Sequence, residues 1–281
     1  MTGRYLGSAA AVALAVAAAP GWSLTAEEAW AGWQSAAEAF DQSVEARSVQ
    51  PGDGSLTVIG VSFTAEADEV TVAGEIERVV FDEQDDGTVL VTMSDSYPMT
   101  VSWDAATGES GRAVLEIAQA GLTMTARESE DGVAFDYAAP ELTISVAEAM
   151  AEGEPVPITA VAVLSGVSGT YAAGTGTPQR ITNNIAAETV AFDMSVTDAE
   201  QGGSFSMDID VADMDSRSSG TGSTLFNMGD LPSMLEAGFS TDGETTVGET
   251  TFAIAAAGMP ESFTAEGGMT GGTFGVRIGE G

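Results

Sequence analysis

Hydrophobic residues recur along this chain with two different periods, and the change between them separates a helix from a long sheet. Near the amino terminus, Thr25 and Glu28 form a capping box, after which apolar residues follow at helical spacing. This spacing predicts one amphipathic helix over residues 26–42. Two interpretations of its tryptophans remain open, because Trp30 and Trp33 either pack the helix onto a sheet or face a partner.

Beyond Gln50 apolar residues alternate with polar ones, which is the period of a strand with one buried and one solvated face. The alternating runs follow one another without long helices between them, and this predicts hairpin connections. The expected fold is mainly β: a long, curved antiparallel meander sheet, groove-like or open and barrel-like, with the N-terminal helix. One or two short helices are also expected, at Val146–Ala151 and Leu231–Ala237. A change of parity predicts a bend near Glu77 and Arg78.

Turns and loops are predicted from glycine and small polar residues. The stretches 166–184 and 216–224 are rich in Gly, Ser, Thr and Asn, which is typical of loops. Asp-Gly pairs favour hairpin turns, because such turns require a positive φ. The pairs occur at 53–54, 86–87, 131–132 and 242–243.

The composition excludes several classes of function. The chain has 8 basic residues, all Arg, against 43 acidic ones, and its net charge is −35. Such a charge repels nucleic acid, so no nucleic-acid partner is expected. His, Cys and Lys are absent, which removes the Ser-His-Asp and Cys-His systems, the usual zinc sites, and Schiff-base chemistry. We therefore predict a protein that is not an enzyme and needs no cofactor, apart from the calcium alternative below.

Residues 1–23 have the pattern of a secretory signal peptide. Arg4 precedes an apolar run, and Gly21 and Ser23 supply small residues for cleavage. The apolar run is shorter than the roughly 20 residues that a membrane-spanning helix needs. We expect export to the periplasm, a mature part of residues 24–281 forming a single β-rich domain, and no transmembrane segment within it.

Methionines stand out among the alternating apolar positions. They alternate with Val, Ile and Phe on the presumed inner face of the sheet, and the flexible Met side chain adapts to varied apolar partners. An apolar small molecule bound in the curved sheet is one interpretation, and an ordinary core that uses Met is the other. The predicted ligand-lining residues are Met93, Met124, Met194 and Met207.

The densest acidic cluster is a candidate calcium site. Alternate residues of a strand lie about 6–7 Å apart on one face, a spacing at which carboxylates can surround Ca²⁺. The same pattern is expected of any solvated strand face in a chain this acidic. The candidate ligands are Asp208, Asp210, Asp213 and Asp215.

Several segments resemble an uncharacterised family of exported proteobacterial proteins, known as domain of unknown function 2125. These segments are TAEEAWAGW (25–33), SLTVIGV (55–61), DGTVLVTMS (86–94), SYPM (96–99), QAGLTM (119–124) and AGFSTDGE (237–244). The resemblance implies a periplasmic location but no activity, and it supplies no site residues. Members of the family are longer than this chain, which implies that the sheet is incomplete at its carboxy-terminal edge.

Three hypotheses follow. The leading one is a non-catalytic periplasmic protein that binds a lipid-like or other apolar ligand in a concave sheet. The second is a structural or interaction module of the cell envelope, in which the tryptophans or an open edge strand meet a partner protein. The third is a β protein stabilised by calcium.

Overall fold

A computed structural model of the chain describes residues 23–38, 42–67, 69–104, 108–129, 132–174, 179–198, 202–221, 239–258 and 262–278. These residues form one helix and fourteen strands of a single antiparallel sheet. The helix α1 spans Ala26–Glu38. The strands are β1 (Gln42–Pro51), β2 (Ser55–Ala67), β3 (Val70–Glu83), β4 (Val89–Met93), β5 (Ser96–Asp104), β6 (Ser110–Ala118), β7 (Thr123–Ser129), β8 (Gly132–Ala151), β9 (Glu154–Pro155), β10 (Ile158–Gly174), β11 (Arg180–Asp198), β12 (Gly203–Thr221), β13 (Ser240–Ala257) and β14 (Phe263–Ile278).

The mainly β, antiparallel meander predicted from the alternation is confirmed. Its strand order is β1-β2-β3-β4-β7-β8-β10-β11-β12-β13-β14. Strands β5 and β6 form a second route between β3 and β8, so six strands close a ring that is not a regular barrel. In the described part of the chain, no helix has the length and apolarity needed to cross a membrane. The predicted signal peptide and the predicted helix Leu231–Ala237 lie outside the described residues, Ser23 excepted.

Helix α1 begins at the predicted capping box. The backbone N–H of Glu28 donates to Thr25 Oγ1 over 3.2 Å, and the N–H of Thr25 donates to Glu28 Oε2 over 2.9 Å. These bonds satisfy two donors that a helix N-terminus leaves free. The bond from Thr25 also holds the pKa of Glu28 below its usual value. The helix is shorter than predicted, because Gln42 already belongs to β1.

The sheet curls around α1. In a flat sheet β1 and β10 would lie about 29 Å apart, since six spacings of about 4.8 Å separate them. Nevertheless α1, a cylinder about 10 Å wide, contacts both of these strands. Gln34 Nε2 donates to the Val44 carbonyl of β1, and the Tyr171 hydroxyl of β10 donates to the Ala36 carbonyl. The face toward the helix is therefore concave, and we call it the inner face.

A crease crosses the sheet perpendicular to its strands. In the first three strands, Gly60 of β2 lies opposite Arg47 of β1 and Glu77 of β3. Further along, one row of opposing residues runs from β8 to β14 through Pro140, Gly166, Glu188, Asp213, Gly248 and Gly271. We call these two sets together the crease row. In it Gly60, Gly166, Asp213 and Gly271 have φ between 50° and 73°, the left-handed region that interrupts an extended strand.

At the crease, the apolar positions of a strand change from even to odd residue numbers or the reverse. The pairing register between neighbouring strands does not shift there. On β2 the buried residues change from Leu56 and Val58 to Val61 across Gly60. The bend predicted near Glu77 and Arg78 is confirmed, because Glu77 lies opposite this glycine. Each long strand thus keeps its apolar side chains on the inner face along its whole length.

The sheet divides at the crease into two routes from β3 to β8, one through β4 and β7 and the other through β5 and β6. Strand β4 pairs with β3 from Val79 onward and β5 pairs with it up to Gly74, which leaves the connection between them at the crease. There the backbone N–H of Gln119 donates to the Asp95 carbonyl over 2.7 Å, and its buried side-chain amide donates to the Ser94 carbonyl over 3.2 Å. Gln119 belongs to the connection between β6 and β7. Its hydrogen bonds therefore hold this connection to the one between β4 and β5, at the point where the sheet divides.

Three local predictions were wrong. Val146–Ala151 is part of β8, because pairing with β6 outweighs the helix propensity of its Ala, Glu and Met residues. The predicted loop 166–184 forms the end of β10 and the start of β11, although 175–178 lie outside the described residues. Ser216–Thr221 continues β12 in the same way, and the rest of the predicted loop 216–224 is not described.

The Asp-Gly predictions had mixed outcomes. Gly54 and Gly87 have positive φ at the β1–β2 and β3–β4 turns, as predicted. Gly132 has a positive φ at the start of β8, although Asp131 lies outside the described residues. Asp242 and Gly243 instead lie within β13, where Asp242 forms an ion pair with Arg277 of the neighbouring strand.

The crease predicts that Gly166→Ala lowers the free energy of unfolding by about 1–3 kcal/mol. A Cβ at this left-handed position would lie 2.5 Å from Glu188 Cγ. Gly153→Ala is the matched control, because Gly153 also has a positive φ but its added Cβ meets no atom within 4 Å. We expect a loss of about 1 kcal/mol there. Chemical denaturation followed by circular dichroism gives both values, and equal losses would contradict a packed crease.

Candidate functional site on the inner face

The tryptophans of α1 form the centre of the main core. The rings of Trp30 and Trp33 lie 6.0 Å apart, and each lies 5.9 Å from Phe81 of β3 in an edge-to-face arrangement. Trp30 is only 7% exposed. The prediction that these two residues face a partner is therefore wrong for Trp30, which packs onto the sheet. Trp33 is partly buried and borders the pocket described next.

An apolar pocket of about 340 Å³ lies between the end of α1 and the inner face of the sheet. Its volume falls within the range of small-molecule sites. None of its described lining residues carries a charge. These residues are Trp33, Ala36, Ala37, Gln42, Met124, Phe135, Tyr137, Tyr171 and Asn183.

The two tyrosines of the pocket are held in place by hydrogen bonds to backbone carbonyls. Tyr137 lies across Gly169, where a Cβ would come within 2.4 Å of its hydroxyl, and it donates to the Asn184 carbonyl over 3.2 Å. Tyr171 donates to Ala36 over the same distance. Burial raises the pKa of both phenols, so they remain neutral. The amides of Gln42 and Asn183 complete a polar set that is uncharged.

A second apolar cluster connects this pocket to the other side of the crease. Its buried members are Ala139, Val167 and Ala187, one on each of β8, β10 and β11. Tyr137, which lines the pocket, packs against this cluster from one side of the crease, and Val190 packs against it from the other. The inner face is therefore one continuous apolar surface and not two separate patches.

Beyond the cluster the inner face extends over β11 to β14, and register and alternation show which residues lie on it. On β11 and β12 none of these residues is charged, and most are apolar. They are Ile181, Asn183, Ile185, Ala187, Val190, Phe192, Met194 and Val196 on β11, and Phe205, Met207, Ile209, Val211, Met214, Ser216, Ser218 and Gly220 on β12.

The inner face of β13 and β14 is uncharged, and it is exposed along most of β14 and at Phe252 of β13. Phe252 of β13 is 40% exposed, and Phe274 and Val276 of β14 are more exposed still. Within the described residues, α1 is the one element outside the sheet, and it contacts β10 but none of the strands from β11 to β14 to a comparable extent. A large apolar surface on this part of the sheet is thus accessible to a ligand.

The charged residues of these strands lie on the outer face or in the crease row. Asp208 and Asp210 are exposed there, and Asp215 forms an ion pair with Arg217. Loss of hydration and the opposing carboxyl group of Asp193 raise the pKa of Asp208.

The calcium site predicted at Asp208, Asp210, Asp213 and Asp215 is contradicted by this geometry. The four residues spread along β12, and Asp213 occupies a left-handed position in the crease row. In the parts of the chain that the structure describes, no three carboxylates come close enough together to hold a metal ion.

Of the four predicted ligand-lining methionines, Met124 alone lines the pocket. Met93 packs against the main core. Met194 and Met207 lie directly opposite each other on β11 and β12, on the inner face but beyond the crease. Sequence reasoning missed Tyr171 and Asn183, because both fall in the stretch predicted to be a loop. Their signal was the alternation of apolar residues around them, from Val167 to Ile185.

No family model, curated protein or solved structure matched this chain in the comparisons made. The resemblance to domain of unknown function 2125 therefore stays a prediction.

The packing of α1 predicts different costs for its two tryptophans. Trp30→Ala removes a buried indole from the core, and we expect it to lower the free energy of unfolding by about 3–5 kcal/mol. Trp33→Ala should cost less, because part of this indole already faces the pocket. Denaturant unfolding followed by far-ultraviolet circular dichroism measures both. A larger loss for Trp33→Ala would contradict the arrangement described.

Proposed function

We propose that this chain is a non-enzymatic periplasmic protein that binds an uncharged, lipid-like molecule on the inner face of its sheet. The observation that carries the proposal is the separation of charge from this face in a protein of net charge −35. From β10 to β14 its described side chains are apolar or neutral, and several large ones are exposed to solvent.

The energetics of apolar surface favour an occupant of the same character. Each Å² of apolar surface removed from water contributes about 25 cal/mol. Residues such as Phe252, Met194 and Met207 would gain this contribution by contact with a hydrocarbon chain. Methionine suits the purpose, since its flexible thioether adapts to chains of different shape.

The pocket beside α1 provides a place for one end of the ligand. Its polar groups are the amides of Gln42 and Asn183 and the hydroxyls of Tyr137 and Tyr171. Because the two hydroxyls already donate to backbone carbonyls, the amides remain to orient a ligand. Amides pair well with an alcohol, ester or amide group. An ionised carboxylate or phosphate would lose hydration in this pocket without gaining a cationic partner.

The residue types of the chain support binding without catalysis. The sequence contains no His, Cys or Lys. The titratable groups lining the pocket are tyrosines whose pKa is raised by burial, which makes them poor general bases at neutral pH. Location in the periplasm rests on the leader pattern of residues 1–23.

A neutral fluorescent probe that brightens in apolar sites tests the ligand proposal. We expect the protein to bind the probe, and a long-chain primary alcohol to displace it at lower concentration than the fatty acid of equal chain length. Asn183→Asp places a charge in the pocket without changing side-chain size. It should weaken binding about tenfold or more, because the ligand would have to desolvate the new carboxylate.

Gln50→Glu is the control, since it makes the same change from an amide to a carboxylate on β1, at an exposed residue that does not line the pocket. Its probe affinity should stay within about twofold of the unmodified protein. Failure of the probe to bind, equal losses in the two variants, or preference for the fatty acid would each contradict the proposal. Native mass spectrometry of protein isolated from its own cells then identifies the lipid that is carried.

A further inference from the structure

The crease divides the inner face into two sides of different polarity. The near side holds the pocket beside α1, and the far side lies across the crease. Beside the pocket, the near side of β12 and β13 consists of small polar residues and glycines, a surface that gains little from contact with hydrocarbon. These residues are Ser216, Ser218 and Gly220 on β12, and Thr241, Gly243 and Thr245 on β13.

The far side of the crease is apolar across six strands. One inner-face residue of each strand lies opposite the next in a single row, which we call the transverse row. Five strand spacings of about 4.8 Å make this row about 24 Å long. On β11, β12 and β13 the inner-face residues two positions to either side are apolar as well, apart from Thr250. The transverse row consists of Ile144 (β8), Ala162 (β10), Phe192 (β11), Ile209 (β12), Phe252 (β13) and Gly267 (β14).

The apolar surface is continuous from the pocket to this row. Across the crease, the inner-face residues of β10 are Val167 and then Leu164, and those of β11 are Ala187 and then Val190. Val167 and Ala187 are buried in the second apolar cluster, and Leu164 and Val190 pack against them from the far side. A hydrocarbon chain that leaves the pocket therefore keeps apolar contact by crossing the crease and loses it by staying on the near side.

The path from the pocket to the transverse row is longer than one acyl chain of a membrane lipid. Asn183 in the pocket and Phe192 in the row lie nine positions apart on β11, which is about 30 Å along the strand. The hydrocarbon core of a bilayer is about 30 Å thick and contains two leaflets, so one acyl chain spans about 15 Å. A ligand anchored in the pocket reaches the row only with a chain about twice that length.

We propose that the ligand is an uncharged lipid with one polar end in the pocket and a hydrocarbon chain about twice as long as a membrane acyl chain, which crosses the crease to the transverse row. This inference rests on the proposed function and adds the class of lipid. One polar end is assigned because the amides of Gln42 and Asn183 lie at one end of the path, whereas the transverse row has no polar side chain.

Competition between two primary alcohols tests the chain length. Vesicles of phosphatidylcholine, which have no net charge, contain equal amounts of an alcohol as long as a membrane acyl chain and one twice as long. The protein is incubated with the vesicles and isolated again by gel filtration, and mass spectrometry measures both bound alcohols. We expect the protein to take up about ten times more of the long alcohol, because its second half gains apolar contacts on the far side.

Phe252→Glu tests the path across the crease. Phe252 is 40% exposed, so this change places a carboxylate on the transverse row and leaves the buried core intact. The preference for the long alcohol should fall about tenfold, while uptake of the short alcohol stays within about twofold. Thr241→Glu is the matched control, because it adds the same charge to the inner face of the same strand on the near side, outside the pocket. It should preserve the preference.

The outcomes distinguish this inference from the proposed function. If neither alcohol binds, the proposed function fails and the inference fails with it. Equal uptake of the two alcohols, or a ratio that Phe252→Glu leaves unchanged, would overturn the long chain. Ligand binding would still stand in that case if Asn183→Asp lowers the uptake of both alcohols. Two short alcohols bound to one protein at saturation would also overturn the inference, because they would show two separate sites.

Discussion

The crease row is the constraint on which the rest of this structure depends. Strands of 17 to 20 residues, such as β8 and β10, are several times longer than the usual five or six. A left-handed residue in alternate strands, as at Gly60, Gly166 and Asp213, interrupts each strand at the same row. Because each of these residues lies opposite crease-row residues of both neighbouring strands, the pairing register is the same on the two sides of the row. A single displaced interruption would instead turn the apolar side chains of one strand outward.

Helix α1 closes part of the sheet that the crease organises. Its contacts with β1 and β10 hold the curled strands together, and its tryptophans pack on Phe81 beneath it. The helix is only 13 residues long, or about 20 Å, whereas β8 is three times that length when extended. This helix, the one helix of the described residues, cannot cover such a sheet. The half-exposed apolar face beyond the crease follows directly from this mismatch of lengths.

Local patterns predicted the elements whose signals are local. The capping box at Thr25 and Glu28 marked the start of the helix, and the parity change near Glu77 marked one point of the crease. The equivalent change at Gly166 was missed, since a stretch of small residues predicts a loop unless its partner strands are known. The residues from 146 to 151 were misread for a similar reason, because pairing with β6 overrides their helix propensity.

The pocket shows why a site of this kind resists prediction. Its walls come from α1, β1, β7, β8, β10 and β11, which are separated by as many as 150 positions in sequence. Met124 was found because methionine is conspicuous among alternating residues. Tyr171 and Asn183 carry no motif, and their role depends on the curl of the sheet that brings β10 and β11 to the end of the helix.

The distribution of charge explains how one chain can be both highly anionic and widely apolar on one face. Self-repulsion of 43 acidic residues opposes compaction, and the exposed ion pairs offset little of it, since pairs such as Arg127–Asp136 contribute about 0–1 kcal/mol each. Placing the carboxylates on the outer face lets water and salt screen them. Because successive side chains of a strand point to opposite faces, this placement also leaves the inner face uncharged. The crease preserves this separation over the full length of each strand, so solubility outside and an uncharged groove inside have the same structural origin.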